Sequence, residues 1–370
     1  MTAAKATVSD APGVSVEPAR SNLATAVSLT GNRPGPDVTA RSRWSVWGLD
    51  AWLTVTGEGM LAEAEAIVRA VVEDVDKACS RFRRDSELMT LGPDAAGGVK
   101  ITATFRYLME QALAAAHLTA GDVDPTLGAD LDALGYRQGI ASVPVPSGNP
   151  LPAARPPERS SESPPALPRV PGWTRVRLHG SILSVPADLR LDLGATAKAA
   201  AADLAAAQVH AALGCGVLVS LGGDLATAGP GPHVAGDRGH AGHPGPWQIL
   251  VQDLPTDPAE HIALEPGFAL ATSSTQKRRW KHAGTDVHHI LDPRFGLPAK
   301  PVWRSVTVAA PTCLKANAYS TAAIVRGTAA LDWFRSAGIP GRFVDQQGRT
   351  LITGGWPAGP VSVEAGASRG

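Results

Sequence analysis

A proline-rich segment, at about residues 142–172, most limits the folds that this sequence can adopt. Proline lacks an amide donor and fixes its own backbone angle, so the segment can form neither the interior of a helix nor an inner strand. Helix and strand patterns continue on both sides of it. We therefore predict a disordered surface insertion within one fold, rather than a boundary between independent domains. A docking site for a partner is the alternative.

The chain between residues 43 and 358 otherwise shows a mixed α and β pattern, and we expect it to form a single catalytic domain of the α+β class, with two closely packed lobes. Residues 58–82 place apolar side chains at helical spacing, which is typical of an amphipathic helix. Runs rich in Val, Leu, Ile and Trp between turn residues indicate strands. Further helices are expected at 104–118, at 196–213 and from about 317, and strands at 44–56, 181–186, 216–220, near 247–252, near 267–271, 342–346 and 350–353.

The composition disfavours several classes of protein. The formal net charge is +0 and 18% of residues are charged, which removes the electrostatic footprint of a nucleic-acid-binding protein. Because no apolar run reaches about 18 residues, no transmembrane helix is predicted. Residues 1–42 lack the apolar segment of a secretory signal, so we expect a disordered tail there, a second tail at 359–370, and a cytoplasmic protein. Cys79, Cys215 and Cys313 show no CxxC spacing and are expected to be buried thiols.

The stretch RLDLGATAK, residues 190–198, is typical of an anion-binding turn. Asp192 ends a predicted strand, Gly194 permits a tight turn, and a helix begins near Thr196. Free N–H groups and the positive dipole end of a helix N-terminus favour an anion such as phosphate. Lys198, one turn in, would add a charge to the same anion. The alternative is that Asp192 or Thr196 merely caps the helix and Lys198 is solvated.

The stretch HHILDPRFGLPA, residues 288–299, gathers two histidines, an aspartate and an arginine. Histidine is the side chain best suited to proton transfer near neutral pH, so a catalytic role is one interpretation. A surface turn at Asp292 with a solvated arginine is the other. His288 and His289 would point to opposite faces of an extended segment, which disfavours a zinc site.

Two further turns are chemically less specific. In SLGGDLATAGP, residues 220–230, paired glycines would let the backbone approach a ligand, but they equally serve an ordinary tight turn. In CSRFRRDSELMTLG, residues 79–92, the basic residues with Ser86 and Glu87 would reach a nucleotide. A solvated helix end followed by an N-cap at Asp85 or Ser86 is the commoner explanation of that pattern.

The stretch KANAYSTAA, residues 315–323, places Asn317 and Thr321 on one face of a predicted helix. An amide oxygen and a hydroxyl one turn apart are hard ligands of the kind that Mg²⁺ accepts alongside phosphate oxygens. The alternative is that Asn317 caps the helix and Thr321 bonds back to its own backbone.

Taken in order, these stretches resemble the ApbE family, the FAD:protein FMN transferases. The likeness covers roughly residues 43–355 and rests on separated motifs in the family's order, which are CSRFRRDSEL, GDVDPTLG, DLGATAK, Leu221–Asp224, His289–Pro298 and ANAYSTA. The resemblance implies that FAD is bound with Mg²⁺ on its pyrophosphate, and that a Thr or Ser hydroxyl of an acceptor protein attacks the FMN-side phosphorus. FMN becomes linked to the acceptor and AMP leaves. With water in place of the hydroxyl, FAD would be hydrolysed to FMN and AMP.

The same resemblance implies roles for individual residues. His289 would be the general base, and Asp292 would orient its loop. The ligands of Mg²⁺ would be the carbonyl of Ala195 and the side chains of Asn317 and Thr321. The residues expected to bind FAD are Trp47, Glu87, Asp122, Val123, Asp124, Thr126, Asp192, Lys198 and Ile290.

Several positions depart from the family's usual pattern. Trp47-Gly48-Leu49 stands where Met-Gly-Thr is common, and KAAAAD replaces Lys-Gly-Tyr-Ala-x-Asp. Asn317 replaces an aspartate, so the affinity of the site for a metal should fall. The alternative functions are a catalytically impaired FAD-binding carrier or regulatory protein, and an FAD pyrophosphatase.

Overall fold

Helices and antiparallel strands alternate along residues 39–136, 169–234 and 243–357, which a computed structural model describes. The helices are α1 (Leu61–Cys79), α2 (Glu87–Thr90), α3 (Ala103–Leu118), α4 (Gly128–Ala133), α5 (Ala197–Leu213), α6 (Cys313–Arg326) and α7 (Ala329–Ala337). The strands are β1 (Thr39–Val46), β2 (Leu49–Thr56), β3 (Val99–Lys100), β4 (Arg177–His179), β5 (Ile182–Ser184), β6 (Val217–Leu221), β7 (Asp224–Ala228), β8 (His233–Val234), β9 (His243–Pro244), β10 (Trp247–Val251), β11 (Glu260–Leu264), β12 (Ala269–Ser274), β13 (Arg279–His282), β14 (Thr285–His288), β15 (Leu291–Asp292), β16 (Leu297–Pro298), β17 (Trp303–Ala310), β18 (Gly341–Asp345) and β19 (Thr350–Thr353).

One eight-stranded sheet, in the order β1-β2-β6-β7-β12-β17-β18-β19, carries the other elements. Each neighbouring pair of its strands is antiparallel. Successive side chains of a strand face opposite sides of a sheet. Val217 and Val219 of β6 accordingly join one core cluster, and Leu218 joins another. The sheet is therefore buried on both faces.

Helices cover one face of this sheet. Helices α5 and α6 pack directly on the central strands, and α1 and α3 pack over α5. Helix α5 is apolar on most of its circumference, and Ala199, Ala200, Ala201 and Ala202 are fully buried. A helix that is apolar all round belongs in a core. Its alanines let it approach the sheet and α1 closely, and so place its N-terminus firmly.

The β10–β11 hairpin covers the other face. Trp247, Ile249 and Ile262 of the hairpin pack with Leu218 and Leu270 of the sheet in a second core cluster. The predicted α+β class is confirmed by these helices and antiparallel sheets.

The strand character predicted at 44–56 is confirmed, but the stretch is divided between two strands, because β1 and β2 form a hairpin there. The chain reverses at Trp47 and Gly48, whose φ angles are 51° and 70°. Two successive residues with positive φ are what a tight hairpin turn requires, and tryptophan is an unusual occupant. Nothing in the composition of this turn resembles the Asn-Gly or Asp-Gly pairs that usually mark one.

Other predicted bounds are partly outside the described residues. Residues 39–42 of the expected N-terminal tail belong to β1, and the remainder of that tail lies outside. Most of the proline-rich segment and the expected C-terminal tail also lie outside, so the single-domain organisation stays a prediction. The three cysteines are buried free thiols, as expected. None of the described helices has the length and apolar character needed to span a membrane.

Candidate active site

A cavity of about 650 Å³ opens between the β1–β2 turn, the N-terminus of α5, strand β12 and helix α6. Most of the residues that we expected to form a site line this cavity. They are Trp47, Asp122, Val123, Asp124, Asp192, Ala195, Lys198, His289, Ile290, Asn317 and Thr321.

Three expected site residues, Glu87, Thr126 and Asp292, are not among those that line this cavity. The carboxylate of Glu87 accepts hydrogen bonds from the amide and hydroxyl of Thr102 at the start of α3. Thr126 is buried and donates through its amide and hydroxyl to Asp124 at 2.9 and 2.6 Å. Asp292 pairs with Arg294 at 2.7 Å and accepts from its amide. These side chains hold the elements that carry the cavity residues.

The N-terminus of α5 borders the cavity, which Ala197 and Lys198 line. Among the described residues, no side chain caps this helix, although Thr196 occupies the N-cap position. The carboxylate of Asp192 instead accepts from the amide of Gly194 at 2.8 Å and from Arg81 at 2.6 Å. The capping alternative for Asp192 and Thr196 is therefore wrong. An uncapped helix N-terminus at a cavity wall suits an anion.

A chain of three polar side chains, all of which line the cavity, joins α5, β7 and α6. The ammonium nitrogen of Lys198 lies 3.0 Å from Oδ2 of Asp224. This is a charge contact without an aligned hydrogen bond, since Oδ2 has no hydrogen-bond partner among the described residues. The amide nitrogen of Asn317 donates to Oδ1 of Asp224 at 3.3 Å, while the buried amide oxygen of Asn317 is left without a partner there. Lys198 is thus not a solvated side chain.

Asn317 does not cap α6. The helix begins at Cys313 rather than near 317, and its N-cap is Thr312, which accepts from the amide of Lys315 at 3.2 Å. The carboxylate of Asp203 accepts from the first two amides of the helix at 2.8 and 2.9 Å. With this end satisfied, Asn317 is left to face the cavity.

Thr321 follows one turn after Asn317, and its hydroxyl lies 2.8 Å from the hydroxyl of Ser273 on β12. Ser273 also contacts Ser320 at 2.8 Å. Thr321 is therefore held by a neighbouring strand, and like Asn317 it lines the cavity.

The two adjacent histidines have different environments. His288 is buried and bonds through Nε2 to the carbonyl of Ala299 at 2.9 Å, and burial lowers its pKa to about 4. His289 lines the cavity, and its Nδ1 is enclosed without a hydrogen-bond partner among the described residues. Burial is the main cause that holds the pKa of His289 well below its usual range, and the positive charge of Arg278 is the second cause. A neutral imidazole at pH 7 is able to accept a proton.

Sequence reasoning misses several charged residues of the cavity. Asp224 lies in the Gly-Gly-Asp turn, which is equally typical of an ordinary turn, and Arg81 lies in the CSRF stretch. Arg81 bridges Asp192 and Asp132 at 2.6 Å each. Arg278 lines the cavity, and its charge acts on His289. No spacing signal marks Arg278, because its position depends on how β12 and β13 are connected.

Aromatic rings form another part of the wall. Phe82 and Tyr136 line the cavity, with ring centroids 6.0 Å apart, and Tyr136 stacks on Trp280 at 5.0 Å. Trp47 lies at the β1–β2 turn, where its indole nitrogen donates to Asp76 at 3.1 Å. Flat apolar surfaces of this kind accept planar rings. The cavity therefore offers a ring-binding wall, an anion-binding helix end and a neutral histidine.

The oxygen set near the helix end lacks the usual signature of a metal centre. Among the described residues, no group of three or more His, Cys, Asp or Glu side chains is placed to hold an ion. Asn317, Thr321 and the carbonyl of Ala195 would contribute an amide, a hydroxyl and a backbone oxygen, which are neutral hard ligands.

Known proteins with related sequences are named FAD:protein FMN transferases. A model of the ApbE family matches residues 41–343. The FAD:protein FMN transferase of Escherichia coli K12 is 25% identical over 319 residues, covering 84% of this chain and 83% of that protein. The protein of the same name from Rhodobacter capsulatus is 35% identical over 170 residues, but this match spans 30% of that protein's length.

Solved structures show the same fold. The ApbE protein of Thermotoga maritima superimposes with a TM-score of 0.66 at 27% identity, covering 85% of this chain and 97% of that one. The flavinyl transferase ApbE of Pseudomonas stutzeri gives a TM-score of 0.65 at 23% identity, covering 86% and 95%.

Proposed function

The chain belongs to the ApbE family, and from this premise we propose that it transfers FMN from FAD to an acceptor protein. The observation that carries the proposal is the pairing of an uncapped α5 N-terminus with the partnerless oxygen of Asn317 in one cavity of the described chain. The first feature suits the phosphates of a dinucleotide, and the second suits a cation bound to those phosphates.

We further propose that Mg²⁺ assists the reaction. The buried side-chain oxygen of Asn317 has no hydrogen-bond partner among the described residues. Because burying a polar atom without a partner costs free energy, this oxygen is expected to bind something. Asn317, Thr321 and the carbonyl of Ala195 would hold the ion, and their hard oxygens fit its preference. When bound, Mg²⁺ would neutralise charge on the phosphate oxygens.

The residues of this chain would then position FAD and move one proton. The first turn of α5 and Lys198 would hold the pyrophosphate, and the Trp47 and Phe82 side of the cavity would accept the ring system. His289 would take the proton of a Thr or Ser hydroxyl on the acceptor. The hydroxyl oxygen would form a bond to the FMN-side phosphorus as the bond between that phosphorus and the bridging oxygen breaks. AMP would leave, and the transferred proton would end on the AMP phosphate or in solvent.

One experiment tests the proposed function. The full chain is incubated with FAD, Mg²⁺ and an acceptor protein that has a Thr known to become covalently linked to FMN. We expect covalent flavin on the acceptor and release of AMP, and loss of both when Mg²⁺ is removed by chelation. FMN and AMP formed without acceptor labelling would indicate a pyrophosphatase instead. A cytoplasmic acceptor is part of the same proposal.

Asn317 favours a second candidate, a FAD-binding carrier or regulatory protein that has lost transfer. An amide brings no negative charge to the ion, so metal affinity falls relative to a carboxylate site. In this case the same incubation would leave bound, intact FAD and no AMP.

A further inference from the structure

The amide of Asn317 lies beside a carboxylate that determines which way it faces. Its nitrogen donates to Oδ1 of Asp224 at 3.3 Å. A carboxylate paired with the ammonium of Lys198 accepts hydrogen bonds and donates none. Since the oxygen and nitrogen of an amide are assigned from their hydrogen-bond partners, the NH₂ group of Asn317 must be the one that faces Asp224. Its oxygen must then point the other way, into the cavity.

We propose that Asp224 is a positioning residue, which holds the amide of Asn317 with its oxygen toward the bound cation. This inference rests on the proposed function, in that it assumes a metal at this site. Without Asp224, a half-turn of the amide would present the NH₂ group, which cannot coordinate a cation. A carboxylate at position 317 would need no such orientation, since both of its oxygens can be ligands.

The local charges lead to the same conclusion. Asp224 and Asn317 together carry one negative charge, and Lys198 offsets it. The variant Asn317→Asp would instead bring two carboxylates to a distance at which an amide and a carboxylate now share a hydrogen bond. Like charges this close repel strongly in a buried site. A bound cation relieves this repulsion, so the charge of Asp224 favours the cation in both proteins. Its orienting effect exists only where residue 317 is an amide, so the loss of Asp224 should weaken cation binding more in the wild-type protein than in the variant Asn317→Asp.

A double-mutant cycle tests this difference, with Mn²⁺ as a spectroscopic probe in place of Mg²⁺. The full chain is titrated with Mn²⁺ alone and free Mn²⁺ is measured by electron paramagnetic resonance. The proteins are wild type, Asp224→Asn, Asn317→Asp and the variant with both changes. Thermal unfolding of each checks that the fold is retained.

In the wild-type background, Asp224→Asn should weaken Mn²⁺ binding about tenfold, because an amide at position 224 can present either its oxygen or its NH₂ group to Asn317 and no longer fixes the orientation. In the Asn317→Asp background, the same change should weaken binding by a smaller factor, because only the charge of Asp224 then acts on the ion. Equal weakening in both backgrounds would overturn the inference, because Asp224 would then act on the ion independently of residue 317. An Asp224→Asn protein that binds Mn²⁺ like wild type would overturn it as well.

The doubly changed protein keeps the test decisive if Asp224→Asn does not fold. It retains an amide beside a carboxylate with the two exchanged, and it should bind Mn²⁺ less than about tenfold more weakly than Asn317→Asp, because no amide at position 317 needs orienting. A loss of about tenfold or more relative to Asn317→Asp, as large as the loss expected in the wild-type background, would contradict the inference.

The transfer assay separates this inference from the proposed function. A wild-type protein that flavinylates an acceptor but gives equal weakening in both backgrounds overturns the inference alone. A larger loss of Mn²⁺ affinity in the wild-type background than in Asn317→Asp, together with no labelling of the acceptor by the wild-type protein, overturns the proposed function alone. Absence of Mn²⁺ binding by the wild-type protein overturns the inference, whatever the transfer assay shows.

Discussion

The environment of His289 sets the pH dependence expected of the reaction. Burial and the charge of Arg278 depress the pKa of this histidine, so its neutral form persists to lower pH than that of an ordinary histidine. A base with a depressed pKa loses activity only as pH falls through that lower value. We expect the transfer rate at saturating FAD to stay flat between about pH 6 and 8, near and above the ordinary pKa of histidine. A rate that falls by half near the ordinary pKa of about 6.5 would contradict this assignment.

Two variants make the test specific. His289→Ala should lower the transfer rate about 10²–10⁴-fold, the usual contribution of a general base. Arg278→Gln removes the neighbouring positive charge, so the pKa of His289 should rise and the acidic limb of the rate profile should move to higher pH. A matched control is Arg335→Gln, because Arg335 pairs with Asp332 on α7, which lines no part of the cavity. Full transfer by His289→Ala at saturating FAD would remove the base assignment.

Replacing Asn317 should alter stability and metal response in opposite directions. Asn317→Asp places a second carboxylate beside Asp224, so we expect the melting temperature without metal to fall by about 2–4 °C, which corresponds to about 1 kcal/mol in a large domain. Added Mg²⁺ should raise it more than in wild type, and transfer at limiting metal should increase. Thermal unfolding with and without MgCl₂ measures the first two effects. Equal Mg²⁺ shifts in both proteins would indicate that residue 317 does not contact the ion.

At the scale of single elements, the start of α6 depends on a distant carboxylate. Asp203 on α5 accepts hydrogen bonds from the amides of Cys313 and Leu314. Asp203→Ala should therefore lower the free energy of unfolding by about 1–2 kcal/mol, as for loss of a helix cap. Chemical denaturation measures the change, and Thr312→Ala at the same helix end is the comparison, with about 1 kcal/mol expected. No loss of stability in Asp203→Ala would show that water replaces the carboxylate.

The sequence predicts whether most of the long elements are helices or strands. It does not predict where the β1–β2 turn lies or where α6 begins. Helix α1 shows clear periodicity over many residues, and its core positions are buried as expected. The Trp47-Gly48 turn escapes prediction because tryptophan at positive φ is held by packing and by its bond to Asp76, which no local pattern shows. The predicted start of α6 is late because its cap includes Asp203, 110 residues earlier in the chain.

The same limit applies to the candidate site. Motifs indicate Asn317, Thr321, Lys198 and His289 because each lies in a recognisable stretch. The partner of two of them, Asp224, is not singled out by its motif, because a Gly-Gly-Asp turn is chemically ordinary by itself. Its role depends on the spacing of three elements in space, and that spacing exists only in the folded sheet.

At the scale of the whole molecule, the sheet has two cores, and one of them lies away from the cavity. Ile249 is fully buried in the cluster under the β10–β11 hairpin and does not line the cavity. Ile249→Ala should cost about 2–5 kcal/mol of unfolding free energy, as for other large-to-small core changes. The Mn²⁺ affinity of the folded protein should be unchanged. Loss of Mn²⁺ binding at temperatures where the protein stays folded would show that the two faces of the sheet are coupled.

The uncapped first turn of α5 has a consequence for how this molecule exchanges hydrogen with solvent. Amides that lack an acceptor exchange readily, and a phosphate seated on the helix end would supply one. Deuterium uptake in a peptide covering residues 190–205 should therefore slow when FAD is added without metal, before any bond is broken. Uptake in the α7 region, which lines no part of the cavity, should stay the same. The deuterium content of the α5 peptide, measured by mass, would thus show whether FAD occupies the cavity, with no acceptor protein present.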